Sequence, residues 1–131
     1  MLLLLFLACA GAPADDTGEP SLEPTLTNVQ AEVFTASCAF SSCHGGSGGG
    51  AADLDLTDGV SHAELVGIES TDAPGEILVV AGDSAASYLV KKSAALAGIV
   101  GEPMPDGDAD GLDADRLALL TAWIDAGALD D

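Results

Sequence analysis

The amino-acid sequence predicts an all-α domain of three or four short helices that are joined by long irregular segments. Near the end of the chain Leu117, Leu120, Trp123 and Ile124 recur at helical spacing. Residues 77–80 (Ile-Leu-Val-Val) form a strand-like run, but no other run of similar character is present to pair with it, so we expect a buried loop. A chain of 131 residues has room for one such domain and an N-terminal extension.

The first predicted helix begins at a capping box. The Thr27 hydroxyl and the Gln30 amide can satisfy the first free backbone N–H groups of a helix. Val29 and Val33 then fall on one helical face, which we expect to pack inward. This helix would deliver Cys38 at its end.

Two short helices are predicted in the middle of the chain. The first covers residues 61–66, and Gly67 follows as its stop signal. The second would be capped by Asp83 or Ser84 and would contain Tyr88, Leu89 and Leu96. Gly98 and Gly101 would end it.

The last helix is predicted to begin at Asp113 or Ala114 and to end at Gly127. Residues 106–111 just before it read Asp-Gly-Asp-Ala-Asp-Gly, which copies the opening of a calcium-binding EF-hand loop. The twelfth position of that loop needs a bidentate Glu, but it falls on Leu117. We therefore expect a solvated acidic loop here.

The N-terminal segment predicts export. Residues 1–8 are an apolar run too short to span a bilayer and suit the core of a signal peptide. Residues 6–9 (Phe-Leu-Ala-Cys) look like a bacterial lipobox, which predicts cleavage before Cys9 and a lipid anchor on its sulfur; the alternative is an ordinary small residue near an A-x-A-type cleavage site. Residues 9–24 are rich in proline and acidic residues and would form a flexible tether. Residues 25–131 remain as the folded domain of a periplasmic or cell-surface lipoprotein.

Two cysteines followed directly by a histidine can attach a haem, and the usual pattern is C-x-x-C-H. Here Cys38 and Cys43 are separated by four residues, and His44 follows. The two thiols can add across the haem vinyl groups, and His44 can supply the proximal nitrogen ligand of the iron. The alternative is a haem-free exported lipoprotein with a binding or structural role, stapled by a Cys38–Cys43 disulfide. A disulfide would give no reason for His44.

Met104 is the candidate for the distal iron ligand, because it is the only methionine left after removal of the signal peptide. Pro103 and Pro105 flank it and stiffen its backbone. The alternative is a methionine that fills a gap in the core. His62 is the competing sixth ligand, although its position in a short polar helix favours exposure to solvent.

These residues resemble the small class I-like cytochromes c, and more closely the cytochrome c-like domains of myxobacterial and planctomycete lipoproteins. The C-x4-C-H spacing resembles sites in some multihaem cytochromes. The resemblance covers residues 25–128, and its matching segments are 33–34, 43–44, 79–83, 87–90, 103–105 and 122–128. It implies helices and long loops wrapped around one covalently bound haem c, with His44 and Met104 as axial ligands.

Charge and the absence of other motifs narrow the function further. The formal net charge of −19 argues against nucleic acid as a partner. Two interpretations of this charge are equally open: a redox partner with a basic docking surface, and solubility in a salty habitat. No catalytic constellation or phosphate loop is evident, and His44 and Met104 together would fill the iron coordination. We therefore expect an electron carrier and not an enzyme.

Overall fold

The structure, a computed structural model, describes residues 22–46 and 51–131, and in this part of the chain it contains helices and no strand, in agreement with the predicted all-α class. The predicted signal peptide (1–8), Cys9 and most of the tether lie outside the described residues. None of the described helices is long and apolar enough to cross a lipid bilayer. The elements are α1 (Leu26–Val29), a π-helical segment that continues it (Gln30–Cys38), a 3₁₀ turn (Ala51–Asp53), α2 (Ser61–Leu65), α3 (Tyr88–Ser93) and α4 (Ala114–Asp125).

Helix α1 begins earlier than the capping box predicted. Its N-cap is Thr25, whose side-chain oxygen accepts a hydrogen bond from the Asn28 N–H at 3.3 Å. Thr27 lies inside the helix instead, and both its N–H and its hydroxyl donate to the Asp131 carbonyl at 3.0 Å. The capping-box prediction was wrong because the chain terminus, and not a local side chain, satisfies the backbone at Thr27.

Gln30, the other half of the predicted capping box, is turned into the core. Its side-chain Nε2 donates to the Leu56 carbonyl at 2.9 Å, and its Oε1 accepts from the Ser61 hydroxyl at 2.6 Å. Gln30 and Ser61 are both buried. A buried amide is tolerated only when it is hydrogen-bonded, so this network ties the first helix to residues 56–61.

The helix that carries Cys38 is wider than an α-helix over its second part. Residues Gln30–Cys38 form the π-helical segment, and the Ala39 N–H that closes it donates to the Phe34 carbonyl five residues earlier, at 2.7 Å. The segment ends at Cys38, as predicted. π-helical turns inside α-helices are uncommon and often lie at functional sites.

The core is centred on the contact between the first helix and α4. Phe34 and Trp123 are almost fully buried, and their rings meet edge to face with centroids 6.5 Å apart. Such a pair stabilises the fold by about 0.5–1.5 kcal/mol beyond the area it buries. The Trp123 Nε1–H donates to the Leu129 carbonyl at 2.9 Å, which satisfies its one polar atom. The N-terminal and C-terminal helices are therefore joined directly.

Residues 77–80 form no strand. Val79 makes a single parallel bridge with Val66, and Ile77 makes a single antiparallel bridge with Glu69. Val79 is fully buried, so this segment is an irregular inner loop, as predicted. These bridges join it to the residues that follow α2, which begins at Ser61 and ends at Leu65, before Gly67.

Helix α3 is shorter than predicted at both ends. It begins at Tyr88, because Ser87 is its N-cap and the Ser87 hydroxyl, fully buried, donates to the Asp83 carbonyl at 2.8 Å. Residues 83–87 thus form a turn before the helix. The helix ends at Ser93, so Leu96 lies in the next loop and is half exposed. Helix spacing alone did not reveal these turns.

Helix α4 agrees closely with the sequence prediction. Asp113 is its N-cap and accepts from the Arg116 N–H at 3.0 Å. Leu120, Trp123 and Ile124 are buried as expected. Gly127 follows the helix with a φ of 115°, a value that favours glycine and ends a helix readily.

Candidate functional site

The segment from Cys38 to His44 closes into a tight loop at the end of the first helix. The His44 N–H donates to the Cys38 carbonyl at 3.1 Å, and the Cys43 N–H donates to the Phe40 carbonyl at 2.9 Å. Cys38 and Cys43 are both half-buried free thiols. The loop is therefore closed by backbone hydrogen bonds and without a disulfide.

Gly45 allows this loop to close. Its N–H donates to the Phe40 carbonyl at 2.9 Å. A Cβ atom at position 45 would run into the Ala39 carbonyl oxygen, which is a backbone atom and cannot rotate away. The glycine is thus required by close approach of two backbone segments.

His44 is oriented by a backbone carbonyl. Its Nδ1 lies 3.2 Å from the Leu54 oxygen, and its own carbonyl accepts from the Leu56 N–H at 2.8 Å. A proton on Nδ1 donates to Leu54 and leaves the Nε2 lone pair free to bind a metal. This is the arrangement in which a histidine ligand is usually held, with one ring nitrogen fixed by the protein and the other available.

Three of the four residues predicted to bind haem line one cleft. Cys38, His44 and Met104 meet there, and the empty space, counted with its solvent-open side, is about 740 Å³. Cys43 does not line this cleft; it lies next to His44, and its Sγ is 3.7 Å from the Ser42 hydroxyl oxygen. The rest of the lining is mostly apolar and consists of Ala51, Ala52, Leu54, Leu56, Ser70, Asp72, Leu78, Tyr88, Leu89, Lys92, Ser93 and Val100.

This donor set fits a haem. A porphyrin presents a broad apolar surface, which suits a cleft walled largely by leucine, alanine, valine and tyrosine side chains. An imidazole and a thioether are both established axial ligands of haem iron. The Cys38 thiol opens on the same space, where thioether attachment requires it.

The Cys38 thiol has an unusual proton affinity. Burial in the apolar end of the first helix, together with the neighbouring Cys43, raises the pKa of Cys38 to about 11, and Arg116 opposes this weakly. The thiol is therefore protonated at neutral pH.

Met104 is held by its backbone. Its N–H donates to the Lys92 carbonyl at 3.0 Å, so the methionine is attached to the end of α3. Its side chain is half-buried where it lines the cleft. Helix α3 thus presents Met104 to the cleft that also contains His44.

Sequence reasoning did not assign Tyr88 and Lys92 to this cleft. The Tyr88 hydroxyl accepts from the Val100 N–H at 2.9 Å. The Lys92 Nζ donates to the carbonyls of Val100 and Glu102 at 2.6 and 2.7 Å. The sequence did offer one sign that these two residues act together. Tyr88 and Lys92 are four residues apart, which places them on one helix face, and the chain has a single tyrosine and only three basic residues.

His62 is not part of this cleft. Its Nε2 lies 2.8 Å from the Ala128 carbonyl oxygen, and its ring packs edge to face on Trp123 with centroids 6.4 Å apart. It lines a different and more polar cleft between the first helix and the C-terminal residues. The structure therefore brings Met104 to His44 and leaves His62 elsewhere.

The acidic residues form no site of their own in the described part of the chain. Residues 106–110 are exposed. Within residues 22–46 and 51–131, no three side chains of His, Cys, Asp or Glu converge in a way that could hold a metal ion.

Comparisons with protein families, with curated proteins and with solved structures gave no match to the chain.

Proposed function

We propose that the chain is an electron carrier with one covalently attached haem c. Cys38 and Cys43 form the two thioether bonds, His44 is the proximal iron ligand and Met104 is the distal ligand. The observation that carries the proposal is the shared cleft: Cys38, His44 and Met104 open on one apolar space although Met104 is distant from the others in sequence. A metal-independent fold has no evident need for an imidazole and a thioether in that arrangement.

The role of His44 is supported by its fixed ring. Because Leu54 occupies Nδ1, the other nitrogen is left free for iron. A carbonyl partner also increases the basicity of the ligand nitrogen, which strengthens the bond to the metal. His44 follows Cys43 directly, so a thioether at Cys43 would hold the imidazole close to the iron.

Attachment needs no external oxidant or reductant. At Cys38 and Cys43 each thiol would add its sulfur to one vinyl carbon and its hydrogen to the other, so that a C–S and a C–H bond would form as an S–H bond and a π bond are lost. Cys43 lies in the short loop between Phe40 and His44, so attachment there would require its sulfur to turn toward the cleft. Cys38 already faces it.

The arrangement of ligands favours electron transfer over substrate chemistry. A haem bound in this cleft would supply a one-electron couple between ferric and ferrous iron. With His44 and Met104 both bound to the iron, no coordination position would be left for a small substrate. The thioether of Met104 raises the reduction potential relative to a second imidazole.

The fold is compatible with a cytochrome c-like domain. The first helix ends in the cysteine loop, and it packs on α4 through Phe34 and Trp123. Long loops connect the short helices and supply much of the cleft wall. We propose that these loops wrap the haem and that its apolar surface completes a core with few aromatic side chains.

The charge pattern supports a basic redox partner. Each basic side chain is engaged within the chain: Lys91 pairs with Glu76 at 2.8 Å, Arg116 pairs with Asp113 at 3.1 Å, and Lys92 binds backbone carbonyls. The exposed charge that remains is overwhelmingly negative. Such a field attracts a positively charged surface and accelerates encounter at low salt.

We further propose that the protein is exported and anchored to a membrane through lipid on Cys9.

A spectroelectrochemical titration tests the function. The full chain is produced in a host with c-type haem maturation, and its visible spectrum is recorded across a range of applied potentials. We expect a reversible one-electron transition in the wild type and none in a Cys38→Ser, Cys43→Ser double variant. Cys9→Ser is the matched control: it should release the protein from the membrane fraction and leave the transition unchanged. A colourless wild-type protein would contradict the proposal.

A further inference from the structure

We propose that Lys92, assisted by Tyr88, is a positioning residue that fixes the loop between α3 and α4 and thereby sets the depth of the Met104 thioether in the cleft. The inference rests on the proposed role of Met104 as iron ligand. It concerns side chains that do not themselves touch the iron.

The first support is that two side chains of α3 form hydrogen bonds with the backbone of Val100. Its N–H donates to the Tyr88 hydroxyl at 2.9 Å, and its carbonyl accepts from the Lys92 Nζ at 2.6 Å. Tyr88 and Lys92 are four residues apart on α3 and therefore lie on the same helix face. Both backbone polar groups of one loop residue are thus held by neighbouring side chains of one helix.

The second support is that Lys92 forms hydrogen bonds to Val100, Glu102 and Met104, which are every second residue of the segment that ends at Met104. Its Nζ binds the carbonyls of Val100 and Glu102, and its own carbonyl accepts the Met104 N–H at 3.0 Å. A single residue therefore forms hydrogen bonds to three points of this segment. The ammonium group suits this task because it offers three donors on a flexible stem.

The exit of the loop is attached to the same end of α3. The Leu112 N–H donates to the Ser93 carbonyl at 2.7 Å. Gly111 has a φ of 79°, and a Cβ atom there would run into the Ser93 carbonyl oxygen. The loop that carries Met104 consequently begins and ends at the last turn of α3, and the Lys92 side chain holds two of the residues between these ends.

The neighbouring Lys91 provides a matched control. It lies on the same helix and is also partly buried, but its Nζ binds the Glu76 carboxylate at 2.8 Å and it does not line the cleft. Loss of either lysine removes one positive charge and one set of polar contacts from α3. Only loss of Lys92 should affect Met104.

The test compares Lys92→Met with Lys91→Met in the full-length haem protein. The first measurement is the affinity of the ferric iron for imidazole, which must displace Met104. The second is amide hydrogen exchange at Val100 and Met104, followed by NMR. We expect Lys92→Met to bind imidazole about tenfold more tightly and to exchange at both amides about tenfold faster, as expected for loss of hydrogen bonds from a charged donor. Lys91→Met should match the wild type in both.

Two more variants separate positioning from general stability. Lys92→Arg keeps the charge and the donors and should recover part of the wild-type behaviour. Tyr88→Phe should accelerate exchange at Val100 more than at Met104. If Lys92→Met and Lys91→Met give the same imidazole affinity and the same exchange rates, the inference is overturned. A product that contains no haem would refute the proposed function, whereas the exchange rates of the two lysine variants would still decide whether Lys92 fixes the loop.

Discussion

The His44 imidazole and the Leu54 carbonyl are joined by a hydrogen bond, with Nδ1 and oxygen 3.2 Å apart. The bond makes Nδ1 the protonated nitrogen and leaves Nε2 as the only ring atom able to bind a metal. His62 has the opposite arrangement, since its Nε2 lies 2.8 Å from the Ala128 carbonyl oxygen. The two histidines of the chain therefore differ in which nitrogen is available and in which cleft they face.

Replacement of the two histidines should give different results. In the haem protein, His44→Ala should remove the proximal ligand and change the visible spectrum to that of an iron with weaker axial ligation. His62→Ala should leave the spectrum unchanged and lower the free energy of unfolding by about 1–2 kcal/mol, because a hydrogen bond and a contact with Trp123 are lost. Visible spectra and urea denaturation measure the two effects. A spectral change in His62→Ala alone would reverse the ligand assignment.

Met104→Ala should leave the haem attached and open the sixth coordination position. The reduced protein should then bind carbon monoxide, which the wild type should resist, and the weak charge-transfer absorption of an iron–methionine bond should disappear. Met104→His should lower the reduction potential, because a thioether favours ferrous iron more than an imidazole does. Retention of an unchanged six-coordinate spectrum in Met104→Ala would show that another group is the ligand.

Gly45→Ala should destabilise the cysteine loop. The new methyl group would meet the Ala39 carbonyl oxygen, and relief of this contact requires movement of backbone. We expect a loss of about 1–3 kcal/mol in the free energy of unfolding, measured by urea denaturation. Ser42→Ala, at an exposed position in the same loop, is the control and should change stability by less than about 0.5 kcal/mol. Equal stability of the two variants would contradict the close approach.

The pKa of Cys38 predicts a pH dependence in protein produced without haem. Because burial and Cys43 raise that pKa from 9.0 to about 11, the unfolded chain releases the thiol proton at a lower pH than the folded chain does. The resulting stabilisation of the unfolded state grows as the pH rises from about 9 to 11, so stability should fall by about 2 kcal/mol relative to a Cys38→Ser variant. Urea denaturation at pH 8 and pH 10.5 measures the difference. The same slope in both proteins would show that the folded thiol is not perturbed.

The sequence was informative where a local pattern determined the structure. Helix α4 could be predicted in full because its N-cap, its apolar spacing and its terminal glycine all agree. The helix end at Cys38 and the inner loop at 77–80 could also be predicted. The cysteines and His44 were recognisable because they lie within one short stretch of sequence, residues 38–44.

Long-range partners explain most of what the sequence did not reveal. Thr27 looked like an N-cap, but its backbone binds Asp131 at the other end of the chain. Gln30 looked like the second half of the same motif, but Leu56 and Ser61 draw it inward. Lys92 carried no motif at all, since its partners are backbone carbonyls of a loop whose path no short pattern specifies. Tertiary contacts override local propensity at each of these positions.

The most direct test of covalent haem attachment is the mass of the denatured full-length protein from a host with c-type haem maturation. Denaturation releases any haem held only by axial ligands, so the haem that stays must be bonded to Cys38 and Cys43. The account predicts a mass greater by one haem than that of the processed polypeptide with its lipid on Cys9, and no such increase in the Cys38→Ser, Cys43→Ser double variant. A wild-type mass lower than the polypeptide by two hydrogens, with a disulfide mapped between Cys38 and Cys43, would contradict it.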